Sequence, residues 1–93
     1  MTVRFSRRAR EHLADIRAYV IEHRPLTVEL VRGRIRESIA TLQRLPHLGH
    51  DGRKRGTREF LIQGLPYVIV YQRGDNADNT LIILGIFHTA RER

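Results

Sequence analysis

Three runs in the second half of the chain decide the fold: Arg58-Glu59-Phe60-Leu61-Ile62, Tyr67-Val68-Ile69-Val70-Tyr71 and Thr80-Leu81-Ile82-Ile83-Leu84. Each is rich in β-branched, aromatic and aliphatic residues. They are separated by the turn formers Gln63-Gly64-Leu65-Pro66 and Gly74-Asp75-Asn76-Ala77-Asp78-Asn79. That is the pattern of consecutive hairpins, and connections so short require antiparallel neighbours. Which face of the sheet is buried stays open at this level. The inward set is either Val68 and Val70 or Tyr67, Ile69 and Tyr71, and either Ile82 and Leu84 or Leu81 and Ile83, because a slip of one residue exchanges the faces.

Working towards the N-terminus, Pro46 to Gly56 holds one proline, three glycines, two histidines and three basic residues, so it reads as a loop. Before it the period changes. Val31, Ile35, Ile39, Leu42 and Leu45 recur at helical spacing, with Thr27 as the cap and Leu45-Pro46 as the end. Gly33 is the weak point of that helix, costing about 1 kcal/mol relative to alanine. Arg24-Pro25 closes an earlier helix whose stripe is Ala9, Leu13, Ile16 and Val20 and whose cap is Ser6. Val3-Arg4-Phe5 alternates and reads as a short strand. The predicted order is β-α-α-β-β-β: an α+β fold in which a helical hairpin packs on an antiparallel sheet. Residues 1–93 form one domain, with Leu13, Ile16 and Val20 set against Ile35, Ile39 and Leu42.

Composition narrows the function classes. At 93 residues the chain is too short for the large nucleotide-binding and barrel architectures. Lys and Arg number 17 against 10 acidic residues, a net charge of +7 that calls for an anionic partner. There is no cysteine, which excludes disulfides and thiolate zinc sites. The first residues lack the apolar core of a secretory signal, and the longest apolar run, Leu81 to Phe87, falls short of the ~20 residues of a membrane helix. The expectation is a soluble, cytoplasmic protein with no membrane contact.

Read in order, four pieces resemble the RelE/ParE toxin superfamily, and its ParE-like branch in particular. They are the strand with helical hairpin, Gly56-Thr57-Arg58-Glu59-Phe60, Leu65-Pro66-Tyr67-Val68-Ile69-Val70-Tyr71, and Ile83-Leu84-Gly85-Ile86-Phe87-His88-Thr89-Ala90-Arg91. The resemblance spans nearly the whole chain. It implies the toxin of a type II toxin–antitoxin module, held silent in a hetero-oligomer by an antitoxin with an acidic, partly disordered segment and a ribbon-helix-helix N-terminus. The charge independently suits such a partner, whose association it would steer. The implied antitoxin surface is the helical hairpin, with Leu13, Arg17, Val20 and Ile35, together with the sheet edge. The customary target of the branch is DNA gyrase, bound without covalent chemistry. The contacts would come from the basic Arg53-Lys54-Arg55 and from the C-terminal segment Phe87 to Arg93, Phe87 and Arg91 included.

The rival implied by the superfamily is a ribosome-dependent mRNA endonuclease. In it Arg58 and Arg73 would clamp the scissile phosphate, a task suited to the guanidinium fork, and His88 would carry a proton. The plainer reading has Arg58 paired with an acidic neighbour, Arg73 solvated at a strand end and His88 structural; Tyr71 and Glu59 are conceivable further partners of His88. RNA-cleaving members surround this position with more tyrosine, histidine or lysine, whereas here the chain runs on as Thr89-Ala90-Arg91-Glu92-Arg93. A third class, a plain nucleic-acid-binding module, rests on charge alone, and the six aromatics give little for base stacking. His47-Leu48-Gly49-His50-Asp51 superficially suggests a metal site, but nothing else in the sequence completes a ligand set. Neither metal nor cofactor is expected.

Overall fold

The computed structural model describes residues 1–74 and 79–91. The elements are β1 (Thr2–Phe5), α1 (Arg7–His23), α2 (Val28–Arg44), β2 (His50–Asp51), β3 (Arg58–Leu61), β4 (Tyr67–Arg73) and β5 (Thr80–His88). The five strands form one sheet in the order β1-β5-β4-β3-β2, with both helices packed on it. The predicted β-α-α-β-β-β order is that of β1, α1, α2, β3, β4 and β5, with the short β2 added before β3, and β2–β3, β3–β4 and β4–β5 are antiparallel.

Two expectations about the sheet are corrected. The sheet is mixed rather than wholly antiparallel, because β1 runs parallel to β5, pairing Thr2 with Thr80 through Phe5 with Ile83. A parallel pair needs a long crossover, and here the helices and the three intervening strands supply it. The Pro46–Gly56 stretch is not all loop either: His50 and Asp51 pair with Glu59 and Arg58 as a two-residue strand. The turn expected over Gly74 to Asn79 lies in part outside the described residues, as do Glu92 and Arg93 of the tail.

Ser6 sets the entry into α1. Its hydroxyl accepts the Ala9 N–H at 3.0 Å, the cap expected of it, and donates to the Leu84 carbonyl at 3.0 Å. One side chain thus starts the helix and ties it to β5. Between the helices Pro25-Leu26-Thr27 forms a single 3₁₀ turn. Thr27 does not cap α2 with its side chain; its hydroxyl turns back to the Arg24 carbonyl at 2.8 Å.

The helices bury Ala9, Ile16, Val20, Ile35 and Leu42 against Ile62, Ile69, Tyr71, Leu81, Ile83 and Ile86, with Leu13, Val31, Ile39, Val3 and Phe5 around the margin. The face left open by the sequence is therefore the one carrying Tyr67, Ile69, Tyr71, Leu81 and Ile83. Leu45, assigned to the helical stripe, is exposed, since α2 ends at Arg44 and the chain turns away. Alternation along β5 breaks once. Val70 pairs with Gly85 but Tyr71 pairs with Ile83, so Leu84 is an extra residue. This bulge lets Ile83 and Ile86, three positions apart, both reach the core.

Candidate functional site

The residues expected to act fall into four places. Between α1 and α2 runs a groove of about 460 Å³ lined by Leu13, Arg17, Val20, Glu29, Arg32 and Ile35 among others. All four residues assigned to antitoxin contact lie on it. Its floor is apolar and its rim carries exposed Arg17 and Arg32, the latter 3.9 Å from Glu29 across solvent. At the hairpin tip Leu26 and Leu30 stand open to solvent.

Arg58 and Arg73 sit together at one end of the sheet. Arg58 pairs with Tyr71 in register, and both arginines border a shallow depression with His47, Asp51 and Tyr71. The Arg58 guanidinium is already engaged: Nη1 donates to the Gly49 carbonyl at 2.7 Å and to the His47 carbonyl at 3.4 Å. Beside it the Tyr71 hydroxyl donates to the Pro46 carbonyl at 2.8 Å and accepts the Gly49 N–H at 2.9 Å. These bonds pin the loop that leads to the basic triplet, and burial raises the Tyr71 phenol above its ordinary pKa. Gly49 is required here, because a Cβ would stand 2.7 Å from the Tyr71 hydroxyl and 2.8 Å from the Glu59 carbonyl.

His88 is elsewhere. It pairs with Tyr67 at the opposite end of β4, six residues from Arg73, which is roughly 20 Å along a strand. The three residues assigned to RNA cleavage do not share a site. His88 instead opens on a depression of about 670 Å³ with His12, Asp15, Tyr19, Tyr67 and Arg91. Its ring meets Tyr67 edge-on at 5.7 Å, and its Nδ1 accepts the Ala90 N–H at 3.1 Å.

On the sheet face away from the core, Arg53 and Lys54 border a small hollow with Arg8, Glu59, Val70 and Phe87. Glu59 is only 4% exposed and its Oε2 accepts the Arg53 N–H at 3.4 Å. Arg55 is exposed on the same loop. Phe87, expected to meet the target, is itself 7% exposed. One side of its ring takes His12 edge-on at 4.7 Å and the Arg8 guanidinium lies 5.1 Å from its centroid. It therefore supports this surface from beneath and leaves Arg8 as the exposed group. Among the described residues no three His, Asp or Glu side chains are placed to hold a metal ion. No helix among those residues is long and apolar enough to cross a membrane.

Sequence reasoning missed Arg8, His12 and Asp15. They lie on the flank of α1 beside its apolar stripe, and nothing in their spacing marks them until β5 is placed against them.

Comparison with known proteins follows the same lines. The family model described as the ParE toxin of the type II toxin–antitoxin system parDE matches residues 3–93. A protein of Sinorhizobium fredii (strain NBRC 101917 / NGR234), named as a candidate toxin, Y4kP, is 29% identical over 90 residues, covering 97% of this chain and 90% of that one. Among solved structures, a chain of the chromosomal ParDE toxin–antitoxin system of P. aeruginosa superposes with a TM-score of 0.81 at 19% identity, covering 95% of each chain. A chain of the RelBE2 toxin–antitoxin complex of Mycobacterium tuberculosis gives 0.62 at 27% identity over 94% of this chain and 95% of that one. With the family model matched over nearly its whole length, this chain belongs to the ParE toxin family of type II toxin–antitoxin systems.

Proposed function

We propose that the chain is silenced by an antitoxin whose acidic segment lies in the α1–α2 groove, and that it acts in the cytoplasm by binding a target such as DNA gyrase rather than by cutting RNA. The observation that carries the second half is the separation of Arg58 and Arg73 from His88. Cleavage by the RNA 2′-hydroxyl needs a proton carrier and a cationic clamp on one phosphate. Here the clamp and the carrier stand at opposite ends of β4, and the Arg58 guanidinium holds a loop. The groove supports the first half: an apolar floor with Arg17 and Arg32 on its rim fits an acidic segment with apolar anchors. The net charge of +7 and the cations Arg8, Arg53, Lys54, Arg55 and Arg91 supply the electrostatic side of target contact.

Message cleavage, the rival activity, would have to use the His88 depression, where His12, Tyr67 and Arg91 stand beside His88. The two readings separate in parallel assays. Purified protein is added to gyrase supercoiling reactions and to translating ribosomes carrying a reporter message. Inhibited supercoiling with intact message is the expected result. Cleaved message that is lost in His88→Ala would establish the rival instead.

A further inference from the structure

Strand β1 ends at Phe5, opposite Ile83, while β5 continues to His88. Beyond Ile83 no strand among the described residues lies beside that edge of β5, and its backbone groups need other partners. Helix α1 provides them. The Ser6 hydroxyl takes the Leu84 carbonyl, and the next open group, the Ile86 N–H, donates to His12 Nδ1 at 3.1 Å. A ring nitrogen that accepts carries no proton, so His12 is neutral with its proton on Nε2. The same ring backs Phe87 at 4.7 Å. Gly85 makes the approach possible, since a Cβ there would stand 3.2 Å from His12 Cε1 and 2.6 Å from the Phe87 ring.

We infer that His12 is a positioning residue for the C-terminal end of β5: neutral, it stands in for a missing strand by holding the Ile86 N–H and bracing Phe87, and protonated, it releases them. What it holds is the segment from Phe87 to Arg91 that carries His88, so its functional meaning rests on the proposed use of that segment for target contact. The charges around it are consistent with a neutral ring. Burial lowers the His12 pKa below its ordinary 6.5, and Arg8 and Arg91 lower it further, against the opposing pull of Asp15 and Glu11. Tyr67 and His88 share the depression on its far side. A proton on Nδ1 removes the acceptor and adds a cation where Arg8 and Arg91 already act on the ring. Because the folded ring is the weaker base, the contact is complete above pH 6.5 and is lost as the pH falls through the lower folded value.

The test is the exchange protection of the Ile86 amide, read by NMR on the full chain and normalised for intrinsic exchange. Wild type should lose protection at Ile86 by tenfold or more on acidification, tracking the His12 ring titration. His12→Asn, whose Oδ1 occupies the place of Nδ1 but does not titrate, should keep protection within about threefold of wild type, with a flat pH profile. His12→Leu should lose it tenfold at neutral pH. Protection at Ile86 that is flat through the wild-type titration, or a His12→Asn variant no better than His12→Leu, overturns the inference. The wild-type arm decides even where a variant folds poorly. No target enters the measurement. Failure here leaves the toxin reading standing, and failure of the supercoiling assay leaves this contact standing.

Discussion

Replacing Tyr71 by phenylalanine is expected to destabilise the fold by about 2–4 kcal/mol without changing its shape. The side chain is fully buried, and its hydroxyl serves Pro46 and Gly49 at once. Removing it leaves one carbonyl and one N–H short of partners in a place water does not readily fill, at about 1–3 kcal/mol for each. Arg58 partly compensates by keeping its own bonds to the Gly49 and His47 carbonyls. In a domain of this size the loss should appear as a fall of roughly 10–20 °C in Tm. A shift of only a few degrees would mean that the loop carries itself. Stability matters here because so small a domain has little in reserve.

The second large effect is on the groove. Reversing both rim charges, Arg17→Glu with Arg32→Glu, is expected to weaken binding of the cognate antitoxin by at least roughly 100-fold. Both side chains are exposed, and Arg32 reaches the solvent-facing Glu29 at 3.9 Å, so stability should move by no more than about 0.5 kcal/mol. Juxtaposing like charges across an interface costs several kcal/mol, and each 1.4 kcal/mol is tenfold in Kd. Titration calorimetry at two salt concentrations checks it. Wild-type affinity should fall with salt, and the reversed variant should be weak and less sensitive in that direction. Unchanged affinity with an intact fold would move the antitoxin off this groove.

The sequence made some of this legible and hid the rest for identifiable reasons. Ala9, Leu13, Ile16 and Val20 announce a helix because helical spacing stacks them, and Tyr67 to Tyr71 announce a strand through β-branching and turn boundaries. Both readings depend on residues close together in the chain. The parallel pairing of β1 with β5 does not, since it joins Thr2 to Thr80 across the whole length. The buried face of the sheet was equally hidden, because the Leu84 bulge changes the alternation within a run that looks continuous. Leu45 follows the spacing of its helix but lies just beyond its end, where the periodicity no longer has a core to face.

The candidate site divides in the same way. Leu13, Arg17, Val20 and Ile35 fall on one groove because a helical hairpin brings their faces together. Arg58, Arg73 and His88 are all at strand ends, which sequence can show. The antiparallel order of β3, β4 and β5 puts Arg58 and Arg73 at one end of the sheet and His88 at the other, a consequence that a motif read residue by residue does not use. His12 was invisible for the same kind of reason. A histidine on the flank of an amphipathic helix acquires its role only from the point where a neighbouring strand stops.

Amide hydrogen exchange on the chain alone and mixed with its antitoxin is the most direct measurement of where the proposed silencing contact lies. Protection should rise in residues 13–20 of α1 and 28–35 of α2, with the Arg53-Lys54-Arg55 loop unchanged. Protection confined to that loop and the end of β5, with the helices unaffected, would contradict the account.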